Sequence, residues 1–305
     1  MSTARRLLYS LLVLLIFLVG LELIGRLLPA IDNRTPFAPH RERGWTLPVG
    51  TTFMFSGFEV NINRLGMRSP EPAENPALRV LTLGDSSAFG HMLRDTETFS
   101  AALAQRTSTD VQNGAVPGYT CEQSRSRYRE VVDELAPDIL LVYTLHNDVR
   151  RITTADEVWL NRAAVLGIHR LLALGQRRLQ ARRQESRVSI SKYRQCLNWL
   201  AAAQATRGGH TLLISPVNRT HFASHGVYDT QEEQPYRDAI LEIAEQTSTF
   251  YLDLTEISWA EGSSADRMMH DEVHPTAAGH SLIAKRIQLT LTNSGLRWPR
   301  KGVPQ

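Results

Sequence analysis

Cysteine is scarce in this chain: Cys121 and Cys196 are the only two in 305 residues. Neither sits in a CxxC or Cys/His spacing, so the sequence suggests no metal site, and a chain of this length buries a full core without staples. The default expectation is two separate, partly buried thiols. A disulfide stays open for a domain in an oxidising compartment, because sequence alone does not set the distance between the two Cα atoms. An excess of charge of either sign is missing too. With 34 Lys and Arg against 31 Asp and Glu the formal net charge is +3, and no nucleic-acid partner is expected despite a pI near 9.0. Internal repeats are absent, and the only biased stretch is the Arg-rich segment 177–187. The remaining composition, 42% hydrophobic and 21% charged, is that of an ordinary globular protein.

One long hydrophobic run is present. Leu7–Gly25 carries a single charge, Glu22, and at ~1.5 Å per helical residue it covers roughly the hydrocarbon core of a bilayer. A cleaved secretory signal has a shorter apolar stretch and a small-x-small cleavage site, whereas Leu28-Pro29-Ala30 places Leu at the first of those positions. An uncleaved signal anchor over residues 1–29 is therefore expected. Arg5 and Arg6 precede the run while Arg26, Arg34, Arg41 and Arg43 follow it, so positive charge alone does not orient it. The short head before the span suits a chain whose larger part lies outside the cytoplasm.

Residues 30–76 contain Pro, Gly and short β-rich pieces at 51–55 and 58–62, and read as a strand-containing collar. From Arg79 the pattern changes. Apolar runs at 79, 110, 138, 210 and 249 alternate with helical stretches at 97–106, 122–135, 191–206, 234–246 and 277–291. Strict alternation of this kind implies a three-layer α/β/α domain, placed at 77–295, around a parallel sheet of about five strands. In such sheets ligands bind outside the carboxyl ends of the strands. The segment 150–189 is longer than a connection needs; its Ile168, Leu171, Leu172, Gly175 and Leu179 at helical spacing, with Arg177, Arg178, Arg182, Arg183 and Arg187, read as a surface helix, a lid or a membrane-surface helix. Residues 296–305 form a tail.

Candidate chemistry falls where the strands end. Gly84-Asp85-Ser86 follows the first strand, where a tight turn into a helix exposes the Ser86 hydroxyl and leaves its N–H free; a turn or N-cap serves the same letters. Asp271 stands three residues before His274 on a loop ahead of a helix, so it can accept the Nδ1–H and direct Nε2 at a serine; a capping aspartate and an ordinary loop histidine are the alternative. Gly118 after the second strand and Asn147 after the third can donate to an oxyanion, or serve only in turns.

Taken in order, these four blocks resemble the SGNH, or GDSL-like, hydrolase superfamily over about residues 79–291, and "NINRLGMRSPE" at 61–71 is similar to the segment preceding the domain in its membrane-anchored members. The resemblance implies a flavodoxin-like serine esterase with Ser86 as nucleophile, His274 as base and Asp271 as its partner. Ser86, Gly118 and Asn147 would form the oxyanion hole, with no cofactor and no metal. Asp85 suits turn stabilisation, and His91, His146, His270 and His280 receive no chemistry. Leu145 departs from the family, which has Gly two residues before the Asn; the difference bears on the pocket beside Asn147 rather than on the donor. The expected substrate is an ester-bearing small molecule or carbohydrate, such as an acetylated cell-envelope or exported polysaccharide. An acyltransferase with the same triad, a lipid esterase and a non-catalytic binding or assembly factor on the same fold are the alternatives.

Overall fold

The computed structural model describes residues 3–27, 36–150, 186–222, 230–256 and 264–299. Five strands, β5 (Arg79–Gly84), β6 (Asp110–Asn113), β7 (Ile139–Tyr143), β8 (His210–Ser215) and β9 (Phe250–Asp253), form one all-parallel sheet in the order β6-β5-β7-β8-β9. The chain leaves β5 for one neighbour and returns on its other side to make β7, so the order reverses at β5/β7 and opens a crevice at the strands' carboxyl ends. Both faces are covered, and β5, β7 and β8 accordingly read as continuous apolar runs.

The period of two sorts these side chains into two cores. Val80, Ile139, Leu141, Tyr143, Leu212 and Ile214 pack with helices α3 (Phe99–Thr107) and α9 (Ala277–Asn293). Leu81, Leu83, Leu140, Val142 and Leu213 pack with α4 (Cys121–Leu135), α6 (Ile190–Thr206) and α7 (Thr230–Thr247). The five strands and five long helices fall where the hydrophobic pattern predicts, with ends shifted by a few residues.

Residues 38–62 fold into two antiparallel hairpins, β1 (Ala38–His40) with β2 (Gly44–Thr46) and β3 (Thr51–Phe55) with β4 (Phe58–Ile62). Leu47, Val60 and Ile62 join the first core, so the collar is packed onto the sheet domain. The following turn is built by Asn63, whose Oδ1 accepts the N–H groups of Leu65 and Met67, and by Gly66 at φ 70°, where a Cβ would lie 3.0 Å from the Arg127 guanidinium.

Helix α1 (Thr3–Leu27) is the one helix among the described residues long and apolar enough to cross a membrane. Its side chains from Leu7 to Val19 are exposed. The default expectation for the cysteines is overturned: Cys121 and Cys196 form a buried disulfide with Cα atoms 6.1 Å apart, joining the first turn of α4 to the middle of α6. Two positions on separate helices become neighbours only once both helices lie on the same sheet face. The lid or surface helix expected within 150–189 lies almost wholly outside the described residues.

Candidate active site

Gly84 closes β5 where the backbones crowd: a Cβ there would stand 2.3 Å from the Tyr143 carbonyl oxygen and 2.7 Å from the Ala88 Cβ. Asp85 then caps the short helix α2 (Ser86–Phe89) by accepting the Ser87 N–H, which leaves Ser86 as the first helical residue. Its N–H lies among those a helix start leaves without an intrahelical acceptor. Gly90 ends the helix in the left-handed conformation, φ 88°.

The histidine arrives on a loop closed upon itself. A bridge between Met269 and Pro275, with the His270 N–H donating to the His274 carbonyl at 2.8 Å, holds residues 269–275 as a compact bend between the short helix α8 (Ala265–Met268) and α9. Inside it, Asp271 Oδ1 accepts the N–H groups of Val273 and His274 at 3.0 and 2.9 Å, which fixes the carboxylate. Its Oδ2 lies 2.7 Å from His274 Nδ1, and His274 Nε2 lies 2.8 Å from Ser86 Oγ. Ser87 Oγ donates to the Val273 carbonyl at 2.8 Å and ties the start of α2 to this loop. Burial alone would push the Asp271 carboxyl up; the hydrogen bonds from His274 and the two backbone N–H groups outweigh it and hold the group below its ordinary value.

Gly118 and Asn147 lie on the loop after β6 and on the short helix α5 (His146–Val149) after β7. Gly118 takes φ 83°, and Asn147 Nδ2 donates to the Tyr119 carbonyl at 3.2 Å, leaving its second hydrogen for another acceptor. The residues flanking Asn147 are anchored in opposite directions, His146 Nδ1 at 3.3 Å from Glu233 and Asp148 Oδ1 accepting the Cys121 N–H at 2.9 Å. Leu145, two residues before Asn147, is fully buried in the second core.

The other histidines separate. His280 is buried and accepts the Phe99 N–H at 2.8 Å, with burial pushing its pKa down to about 3. His270 is exposed. His91 lies beside the site, its ring centroid 4.7 Å from that of His274, and burial followed by the proximity of His274 lowers its pKa to about 4. Phe55, from the collar, packs edge-on against His91 at 5.2 Å.

Two arginines matter in ways the sequence did not signal. Arg68 is buried, donates to the carbonyls of Phe89, Gly90 and Leu93, pairs with Asp95 at 2.7 Å, and so pins the turn that carries His91. Arg187, which the sequence groups with arginines expected to be solvated, is instead buried and donates to the Gly118 carbonyl at 2.7 Å. Charge periodicity marks such residues as solvated; only their buried carbonyl partners, distant in sequence, distinguish them.

A serine opening the first helix after a central parallel strand, within hydrogen-bond reach of a carboxylate-paired imidazole, defines an α/β protein of the serine-hydrolase type. The chain belongs to the GDSL-like Lipase/Acylhydrolase family, which matches residues 82–282. Similar solved structures include LAE5, an alpha/beta hydrolase enzyme from the metagenome of Lake Arreo, Spain, at 18% identity and TM-score 0.51, covering 71% of this chain and 95% of that one. Another is Axe2, an acetylxylan esterase from Geobacillus stearothermophilus, at 19% identity and TM-score 0.48, covering 74% and 97%. No curated protein matches the sequence. At such identities the structural likeness concerns the fold, while the family match supports a hydrolase acting on ester bonds.

Proposed function

We propose that this chain is a membrane-anchored serine esterase in which Ser86 is the nucleophile. The observation that carries the reading is the relay Asp271–His274–Ser86, with steps of 2.7 and 2.8 Å, the second joining residues 188 positions apart. Ser86 Oγ attacks the ester carbonyl carbon as its proton passes to His274 Nε2, and Asp271 stabilises the imidazolium and fixes the tautomer. The N–H groups of Ser86 and Gly118 and the free Asn147 amide hydrogen receive the oxyanion. Collapse of the tetrahedral species expels the alcohol, protonated by His274. Water, deprotonated by the same histidine, then attacks the acyl-enzyme and releases the carboxylic acid and free Ser86.

In this reading residues 1–29 anchor the chain, 30–76 form the collar and 77–295 the hydrolase domain, facing the outside of the cytoplasm. The apolar helix and the Cys121–Cys196 disulfide, a bond that persists in oxidising compartments, support that location. The proposed substrate is an acetyl ester on a cell-envelope or exported carbohydrate, the class of ester such a location offers.

The test is fluorophosphonate labelling of the full-length protein in detergent, with acetate release from p-nitrophenyl acetate and acetylated polysaccharide followed in parallel. The parent is expected to label and turn over, and Ser86→Ala and His274→Ala to lose labelling and at least ~10³-fold in kcat. A folded parent that does neither sinks the esterase reading.

A further inference from the structure

Gly118 occupies a backbone region that glycine enters and leaves readily, yet an oxyanion donor is useful only if its N–H is aimed before the reaction begins. We infer that Trp45, on the collar strand β2 and outside the family-matched segment, is a positioning residue that aims the Gly118 N–H; the inference rests on the esterase reading above.

The peptide unit that ends in the Gly118 N–H begins with the Pro117 carbonyl. Trp45 Nε1–H donates to that carbonyl oxygen at 3.0 Å. In a planar trans peptide the C=O and N–H point in opposite directions, so a donor fixing the oxygen fixes the direction of the N–H. A hydrogen bond accepted by the carbonyl also polarises the amide and strengthens its N–H as a donor. On the far side of Gly118, Arg187 donates to the Gly118 carbonyl at 2.7 Å. The carbonyls of the two successive peptide units that meet at Gly118 are thus each held by a donor, with the Arg187 guanidinium 6.0 Å from the centre of the Trp45 ring, and φ and ψ of the glycine are set together.

Trp45 is itself braced by the loop it steadies. Tyr119 Oη donates to the Trp45 carbonyl at 2.6 Å and accepts from Arg43 Nε at 3.0 Å, and the Trp45 and Tyr119 rings meet edge-on at 5.8 Å. Arg43, almost wholly buried, continues to Glu130 of α4 at 2.7 Å. The indole also fills the space a side chain at 118 would need, since a Cβ there would lie 3.0 Å from its ring carbon Cζ2. Indole and glycine form a matched pair.

Such a residue acts on the charge that develops in the transition state and leaves ground-state binding alone, so its removal lowers kcat and spares KM. The test uses the full-length protein in detergent with two changes at position 45. Trp45→Phe removes the N–H and part of the ring; incorporation of β-(3-benzothienyl)alanine removes only the N–H and keeps the shape, which covers the case in which Trp45→Phe folds poorly. Both are expected to lose about ten-fold in kcat/KM on p-nitrophenyl acetate, through kcat with KM changed less than about two-fold. Affinity for phenylboronic acid, whose serine adduct places an anionic oxygen in the same hole, is expected to fall by the same factor, with the acid limb of the pH profile unmoved. If the benzothienyl protein keeps parental kcat/KM and boronate affinity, the inference is overturned while the esterase reading stands, because the parent still turns over and labels at Ser86. A parent that neither labels nor turns over removes the esterase reading and this inference with it.

Discussion

Asp271 uses its two oxygens differently: Oδ1 takes two backbone N–H groups and Oδ2 faces His274 Nδ1. Asp271→Asn can keep the backbone bonds through its carbonyl oxygen but then presents an NH₂ to the imidazole, which favours the wrong tautomer. A fall in kcat of about 10⁴-fold with little change in KM and in melting temperature is expected, read by steady-state kinetics beside a thermal melt. A charge at position 91 would act directly on the base. Kept neutral down to about pH 4, His91 adds no cation beside His274 in the neutral range. His91→Phe should therefore leave the acid limb of kcat/KM where it is. His91→Arg should move it to lower pH, since a fixed cation disfavours the imidazolium; a limb that moves upward instead would contradict this electrostatic account.

At the scale of elements, the close approach of β5 and β7 depends on Gly84. Because the Tyr143 carbonyl that a Cβ would strike belongs to the neighbouring strand, relief requires the sheet itself to spread. Gly84→Ala is expected to destabilise by about 1–3 kcal/mol, measured by urea unfolding, and to separate Ser86 from His274, measured as slower fluorophosphonate labelling. The disulfide closes a loop of 75 positions and ties α4 to α6. Cys121→Ser with Cys196→Ser should lower stability by about 4 kcal/mol on the chain-entropy account, and reduction of the parent should lower its melting temperature similarly. Melting curves unaffected by reductant would show that the link contributes nothing.

Across the whole molecule, imidazoles wholly or partly withdrawn from water shape the response to acid. His91 and His221 have pKa values lowered to about 4 and His280 to about 3, burial being the first cause in each, against an ordinary 6.5. Between those values the unfolded chain binds more protons than the folded one, so stability falls as pH is lowered. Glu233 acts in the same sense at lower pH. Burial would raise its carboxyl, but the hydrogen bond from His146 and the charge of Arg237 bring it to about 2 from an ordinary 4.5, so its contribution disappears as pH falls through that interval. The melting temperature is expected to drop steadily from pH 7 to 4, and His280→Gln, which keeps an acceptor for the Phe99 N–H, to flatten that slope. If α1 crosses a bilayer, the full-length chain should resist carbonate extraction, and deletion of residues 1–27 should release it; extraction of the parent would refute the anchor.

The sheet's strands, the long helices and the apolar amino-terminal helix were legible because periodicity and length are local properties of the chain. The serine, the histidine and its aspartate were legible because their placement after predicted strands brings them to one sheet edge, and Asp271 and His274 lie only three residues apart. Three features required the tertiary structure. The disulfide depends on two helices sharing a face, the burial of Arg68 and Arg187 on backbone carbonyls brought to them from distant segments, and the Trp45–Pro117 contact on the collar folding back onto the loop after β6. Sequence alone marked which residues are candidates for chemistry and at which end of the sheet they stand, because strand order along the chain sets where each loop emerges. The tertiary structure decided how firmly each is held, because that depends on hydrogen bonds between groups separated by 69 to 188 positions, whose geometry no local pattern encodes.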